Sequence, residues 1–194
     1  MRVRTWTIKD LLSVSTGYLK EKQIDSPRLT AEVLLSFQLN LDRIKLYLNL
    51  DLPLSDSEVS GYRELIRRRL QREPLQYITG VQEFWSLDFQ VDPRVLIPRP
   101  ETELLIEQAL ERIKASPEPH KRSFKILDLG TGSGALAVTL AKEIQGARLW
   151  ATDISPEAIE LARLNADRHD VSGRIEFRQG DLWHALNDPD ITFD

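Results

Sequence analysis

The sequence predicts an α+β chain: an N-terminal α-helical bundle, a β-hairpin connector, and then the first half of a doubly wound α/β domain. Three observations carry this. Residues 1–73 show helical periodicity alone. From Leu75 to Pro100 the texture changes to short apolar runs and turn residues. From Phe124 to Ile154 the order is apolar run, glycine cluster, helical pattern, apolar run, which is the grammar of a strand, a tight turn, a helix and a parallel strand.

In the first region, Thr7-Ile8-Lys9-Asp10 reads as a helix start with an acid at the third position. Ile8, Leu11, Leu12, Ser15, Tyr18 and Leu19 follow at helical spacing. Ser26-Pro27 places a cap before a first-turn proline. Leu29, Val33, Leu34 and Phe37 are the expected inner face of this second helix. A shorter helix is expected from Asp42 through Tyr47, and Pro53-Leu54-Ser55 punctuates. The next helix has Val59, Tyr62, Leu65, Ile66 and Leu70 as its stripe. Each helix is too short to be stable alone, so packing into a bundle is required. The run Arg67-Arg68-Arg69-Leu70-Gln71-Arg72 has two readings. It is either charge complementing a helix C terminus or a basic patch for RNA or an acidic partner.

Glu73-Pro74 breaks that helix. Residues 74–100 read as a structured connector, with Phe84, Leu87, Phe89 and Val91 in a hairpin and Gly80 at a turn. Residues 101–194 form the α/β part. Glu101-Thr102-Glu103 opens a helix carrying Leu104, Leu105, Ala109 and Ile113, and Ser116 to Arg122 reads as a loop. Leu136, Leu140 and Ile144 share a face of the helix after the glycines. Ser155-Pro156-Glu157 starts the following helix, with Ile159, Leu161, Ala162 and Leu164 inward. Ile175 and Phe177 alternate in a third strand, which Gly180-Asp181-Leu182-Trp183 follows. Trp183 reads equally well as a base-stacking or a packing residue.

The glycine cluster carries the chemistry. Gly130-Thr131-Gly132-Ser133-Gly134 offers bare backbone, since glycine tolerates positive φ and has no Cβ. It also leads into a helix N terminus with free N–H groups. Asp153 ends the second strand 19 residues beyond Gly134, about the 20-residue distance expected of an acid that accepts hydrogen bonds from a ribose diol. Gly130, Gly132 and Ala135 fit the dinucleotide fingerprint, so this pattern alone leaves a dehydrogenase cofactor open. A tight βα turn with no ligand is the bland alternative, but it would leave Asp128 and Asp153 as costly acids at buried strand ends.

Composition narrows the classes. The 194 residues carry a net charge of −4, which argues against a generally nucleic-acid-coating surface. There is no cysteine, which excludes disulfides, zinc–thiolate sites and thiol catalysis and fits a reducing cytosol. No apolar run approaches the roughly 18 residues of a membrane span, and the start lacks a signal-peptide core. A cytoplasmic location and no membrane partner are expected. His120, His169 and His184 show no metal spacing and read as surface residues, so no metal is expected.

With Asp128 two residues before the first glycine and a third glycine at Gly134, the run Leu127 to Gly134 resembles motif I of class I methyltransferases. The resemblance sharpens upstream. Pro74-Leu75-Gln76-Tyr77-Ile78-Thr79-Gly80, then Phe84-Trp85, then Val95-Leu96-Ile97-Pro98-Arg99-Pro100-Glu101-Thr102-Glu103 is similar to the signature of the peptide chain release factor N5-glutamine methyltransferases. It covers essentially the whole chain, and the Leu-Ile-Pro-Arg-Pro-Glu-Thr-Glu run is its most specific part.

The resemblance implies a Rossmann-like domain that binds S-adenosyl-L-methionine through Gly130, Thr131, Gly132, Ser133, Gly134 and Asp153, with Asp181 and Leu182 at the adenine. It implies methyl transfer to the side-chain amide nitrogen of the glutamine in the Gly-Gly-Gln motif of release factors, tuning translation termination. Peptide chain release factors are then the partners, gripped by the helical bundle, with indirect proximity to the ribosome and RNA through them. The family orients that poor nucleophile with an Asn-Pro-Pro-Tyr segment after the fourth strand, and the present sequence departs from it there: no such tetrapeptide occurs in the 194 residues. The chain therefore reads as a C-terminally truncated, catalytically inactive piece of a longer enzyme, with no catalytic residue of its own. An RNA or DNA amino-methyltransferase and a non-catalytic partner-binding fragment are the alternatives.

Overall fold

A computed structural model describes residues 5–116, 123–186 and 191–194. The chain divides into two compact units, Met1–Thr79 and Gly80–Asp194. Helices and strands are both present, as the α+β expectation requires. The boundary falls inside the stretch read as a connector.

The first unit opens with a feature that helical periodicity hides. A two-residue strand β1 (Trp6–Thr7) pairs antiparallel with β2 (Pro53–Leu54), and two residues are too few to show a period of two. Helix α1 (Ile8–Glu21) starts as expected: the Thr7 hydroxyl accepts from the Asp10 amide at 3.2 Å while the Asp10 carboxylate accepts from the Thr7 amide at 3.2 Å. Its inward stripe is Ile8, Leu11, Leu12, Ser15 and Leu19, whereas Tyr18 is exposed.

Helix α2 (Pro27–Leu39) starts at the expected proline, but Ser26 sits at φ +47° and its hydroxyl caps nothing. The buried face is Thr30, Ala31, Glu32, Leu34 and Leu35, with Leu29 and Phe37 turned outward. Glu32 accounts for this rotation. Its carboxylate, 3% exposed, accepts from Arg28 Nε at 2.8 Å, from Arg43 Nη2 at 2.7 Å and from the Tyr47 hydroxyl. Burial pushes this carboxyl up, but the bonds from Tyr47, Arg43 and Arg28 outweigh it and hold the group below its ordinary range. The network ties α2 to α3 (Arg43–Leu48).

Helix α4 (Asp56–Leu70) carries a second capping box, Ser55 with Glu58, and buries Val59, Tyr62, Leu65 and Ile66. The Tyr62 hydroxyl lies 2.7 Å from the Ser15 hydroxyl and 3.2 Å from the Ala31 carbonyl oxygen. Burial raises this phenol from 10.0 to about 12, against the Ser15 bond. A raised acid costs nothing below its unfolded value. Between pH 10 and 12 the unfolded chain ionises first, so stability falls through that window, by roughly 2–3 kcal/mol in all. Alkaline urea titrations should show this decline, and Tyr62→Phe should flatten it.

The arginine run is taken up locally. Arg67 pairs with Glu64, and Arg68 grips Glu73 at 2.8 and 2.5 Å. Arg69 donates to the Glu73 carbonyl at 3.0 Å, and Arg72 to the carbonyls of Gln23 and Lys22 at 2.8 and 3.2 Å. This is charge closing a helix C terminus. Leu75–Thr79, expected among strands and turns, is instead a short helix, α5, whose Tyr77 and Ile78 amides donate back to the Pro74 carbonyl at 3.1 Å. Proline suits the start of a helix, where no N–H is needed.

In the second unit β3 (Val81–Phe84) and β4 (Leu87–Gln90) form the expected hairpin. Gly80 sits at a turn ahead of β3, at φ +75°, and the hairpin itself closes through Trp85-Ser86, both at positive φ, +52° and +57°, as a two-residue hairpin loop demands. Phe84, Phe89 and Val91 are buried. A 3-10 turn, Pro100–Thr102, leads into α6 (Glu103–Lys114). Leu104 and Leu105 point outward, at 59% and 58% exposure, and the packed stripe is Ile106, Ala109, Leu110 and Ile113. The Glu103 carboxylate accepts the Trp85 amide at 2.8 Å, which fixes the start of α6 on the hairpin turn and rotates the helix accordingly.

Strands β5 (Lys125–Leu129), β6 (Arg148–Asp153) and β7 (Ile175–Gln179) form a parallel sheet in that order. Helix α7 (Ala135–Glu143) follows β5 and α8 (Pro156–Arg168) follows β6. Leu149, Ala151, Ile175 and Phe177 meet them in one core. α7 is buried nearly all round, not along one face. On α8 the Ser155 cap is in place, its hydroxyl accepting from the Ala158 amide at 3.1 Å. Leu164 is exposed and Asn165 is buried in its stead. Asp194 reaches the outer side of β5, its amide donating to the Lys125 carbonyl at 2.9 Å.

His169 is no free surface residue. Its ring stands 5.3 Å from that of Phe89, and Nε2 lies 2.9 Å from the Asp88 carbonyl oxygen. His184 is exposed, and His120, with most of the loop expected at Ser116 to Arg122, lies outside the described residues. Among the described residues no helix is long and apolar enough to cross a membrane.

Candidate functional site

Parallel strands deliver their following loops to one edge of the sheet. The register aligns Leu129 with Thr152 and Asp153 with Gln179. That edge therefore carries the glycine turn after β5, Asp153 at the end of β6, and Gly180-Asp181-Leu182 after β7.

The turn is wound tightly onto β6. The amides of Gly130 and Thr131 both donate to the Thr152 carbonyl at 2.8 Å, and the Gly134 amide donates to the Thr131 carbonyl at 2.8 Å. The Gly132 amide donates to Asp153 Oδ2 at 2.9 Å, and the Ser155 amide to Asp153 Oδ1 at 3.0 Å. The sequence reading anticipated free N–H groups here. At these four loop positions they are already bonded, because the chain reverses over the end of its neighbouring strand. Asp153 thus holds the glycine turn through Oδ2 and its own following loop through Oδ1, and each carboxylate oxygen keeps further acceptor capacity.

The three glycines are needed for different reasons. Gly130 and Gly132 lie at φ +75° and +54°, and a Cβ on either would meet nothing within 4 Å. Their backbone faces open space, room for a ligand to lie close. Gly134, at φ +80°, would place a Cβ 3.1 Å from Ala162 Cβ and 3.2 Å from Ala162 Cα. It is the close approach of the turn to α8.

Thr131 and Ser133 face inward, 7% and 3% exposed. The Thr131 hydroxyl donates to Asp128 Oδ2 at 2.7 Å. Burial pushes the Asp128 carboxyl above the ordinary aspartate range. The Thr131 hydroxyl and the Ala137 amide oppose this, and the nearby Asp153 charge adds to it. Two acids of different character therefore flank the turn, one buried and hydroxyl-bonded, one half-buried and amide-bonded. Asp181 and Leu182 are exposed on the third loop, and Leu182 takes a positive φ of +45°. Trp183, beside them, is 62% exposed.

Residues 10–80 match the PrmC N-terminal domain, and residues 126–194 match a methyltransferase domain. The chain is 48% identical over 182 residues to the release factor glutamine methyltransferase of Chlorobaculum tepidum, covering 94% of this chain and 62% of that one. It is 47% identical over 183 residues to the enzyme of the same name from Geobacter sulfurreducens, covering 94% and 61%. In chain order, a region similar to the PrmC N-terminal domain precedes a region similar to a methyltransferase domain. The chain's relatives are release factor glutamine methyltransferases, and it spans about three fifths of their length. The resemblance carried by motif I and the Leu-Ile-Pro-Arg-Pro-Glu-Thr-Glu run is thereby shown.

Within this methyltransferase domain the structure brings the glycine turn and Asp153 into direct contact, and it sets Asp181 and Leu182 at the same sheet edge. Two features escaped the sequence reading. Gly180 has a packing reason, since a Cβ there would come 2.8 Å from Ala185 Cα. Asn165 is 0% exposed and bonds the Ser133 carbonyl of the turn. The signal for Asn165 was present: it follows Ile159, Leu161 and Ala162 on the inward side of α8, and a polar residue on such a stripe must find partners.

Proposed function

We propose that the second unit binds S-adenosyl-L-methionine at the glycine turn. We further propose that the chain serves methyl transfer to the side-chain amide of the Gly-Gly-Gln glutamine in peptide chain release factors. The observation that carries the reading is the open backbone of Gly130 and Gly132, with the Gly132 amide held by Asp153. Asp153 is placed to accept the ribose hydroxyls with the acceptor capacity its two backbone bonds leave. Asp128 and Thr131 present a polar, acidic floor to the zwitterionic amino acid end of the cofactor. Asp181 and Leu182, exposed on the third loop, are the residues for the adenine amino group and ring. When bound, the cofactor supplies an electrophilic methyl group. The chain's own part is to hold it at a fixed place, which is where catalysis by positioning begins. The names of the relatives support release factors as the methyl acceptors. In this reading the PrmC N-terminal domain grips the protein substrate.

Calorimetric titration of the 194-residue chain with S-adenosylmethionine tests the cofactor. Saturable binding is expected. A folded chain that binds a release factor but no S-adenosylmethionine would overturn the reading in favour of a non-catalytic binding module. Labelled-methyl transfer to a release factor by these residues alone is expected to be blank, because the Asn-Pro-Pro-Tyr segment that orients the amide in the family is not among them. Measurable transfer would refute that part.

A further inference from the structure

The side chain of Asn165 joins two structures that the sequence keeps far apart. Its Nδ2 donates to the Ser133 carbonyl at 2.8 Å and to the Gln90 carbonyl at 3.0 Å, and its Oδ1 accepts from the Gln90 amide at 2.7 Å. Ser133 belongs to the glycine turn and Gln90 ends strand β4. Asn165 is completely buried, so water offers no substitute for any of these bonds. An amide group is planar, and both N–H bonds and the carbonyl oxygen are spent here. A shift of the Ser133 carbonyl must therefore move Gln90 or break a bond. The hairpin has little freedom to absorb such a shift, because its Trp85 amide is held by Glu103 at 2.8 Å and Trp85 Nε1 by Glu143 at 3.0 Å.

We propose that Asn165 is a positioning residue: it sets the glycine turn in the shape that receives the cofactor and relays the occupancy of that turn to the β3–β4 hairpin. The proposal rests on the cofactor reading above. It assigns α8 a second task besides covering the sheet. The hairpin, which touches no part of the glycine turn except through this side chain among the bonds described, becomes a reporter of the bound state.

Two neighbouring amides test it. The Gln90 amide donates to Asn165, while the Val91 amide donates to the Gly80 carbonyl at 3.0 Å and reports only the hairpin's own pairing. Amide hydrogen exchange is measured on the 194-residue chain with and without S-adenosylhomocysteine, whose binding is followed by calorimetry. At about 100 times its Kd a ligand slows, by up to about 100-fold, exchange through openings that require its release. Gln90 is expected to slow by roughly tenfold or more, with Val91 changing little. In Asn165→Ser the response at Gln90 should vanish and ligand affinity should fall by about tenfold. Ligand binding with an unchanged Gln90, or with Gln90 and Val91 slowed alike, overturns the relay and leaves the cofactor reading standing. No ligand binding by the folded wild-type chain overturns both. The wild-type comparison decides the matter even where the variant fails to fold.

Discussion

Replacing Asp153 with alanine is expected to weaken S-adenosylhomocysteine binding by on the order of 100-fold, read by calorimetry on the folded variant. The size follows from two losses. Hydrogen bonds to a charged acceptor contribute about 1.5–3 kcal/mol each, and every 1.4 kcal/mol is about tenfold in affinity. The ribose diol would lose its acceptor. The turn would also lose the oxygen that holds the Gly132 amide at 2.9 Å, so the free protein would sample wrong shapes before binding. Asp153→Asn separates the parts. It retains one acceptor oxygen but turns an NH2 group toward either the Gly132 or the Ser155 amide, both donors. Its affinity should fall between those of the wild type and the alanine variant. An alanine variant that stays folded and binds within threefold of wild type would remove Asp153 from the site.

A methyl group added at Gly134 is expected to cost the second unit about 3 kcal/mol, seen as a lower urea midpoint at unchanged m value. The left-handed backbone at φ +80° disfavours any residue with a Cβ, by about 1–2 kcal/mol. The new atom also stands 3.1 Å from Ala162 Cβ and 3.2 Å from its Cα. The second of these is backbone and does not rotate away, which places the cost in the range of about 1–3 kcal/mol for overpacking. Gly132→Ala is the comparison. It has the same sign of φ, +54°, and open space where the methyl would go. It should therefore lose only the backbone share of about 1–2 kcal/mol while impairing ligand binding more than Gly134→Ala does at equal folded fraction. Equal stability losses in the two variants would show that the contact with Ala162 is absorbed by a shift of α8.

The fold was legible where a local signal repeats. Helix starts at Thr7 and Ser155, the punctuation at Pro53-Leu54-Ser55, glycines at the turn and alternation at Ile175 and Phe177 each act within a few residues, and each element formed where they pointed. Which way a helix faces was less legible. Leu29, Phe37 and Leu164 read as inward and lie outward, and Leu104 and Leu105, named with Ala109 and Ile113 on α6, lie outward while those two pack, because the choice was made by polar partners distant in sequence. Glu32 reaches Tyr47, Glu103 holds Trp85, and Asn165 holds Gln90 and Ser133. A buried polar group constrains rotation more strictly than a leucine, since its bonds are directional and costly to leave unmade. For the same reason the acids of the candidate site were legible as acids but not in what they already hold. The spacing of Asp153 says nothing of its bonds to Gly132 and Ser155.

The contact between α8 and the hairpin also bears on solubility. A strand edge with unpaired N–H and C=O groups is a template for a second chain and thus a route to aggregation. Among the described residues no third strand pairs with that edge of β4. Asn165 takes both the amide and the carbonyl of Gln90, and His169, one helical turn later, lies on the carbonyl of Asp88. Two side chains one turn apart on a helix thus occupy successive rungs of a ladder. At Gln90 and at the Asp88 carbonyl this edge is therefore closed to a foreign strand, and that protection lies in α8 and its C-cap, outside the hairpin's own sequence.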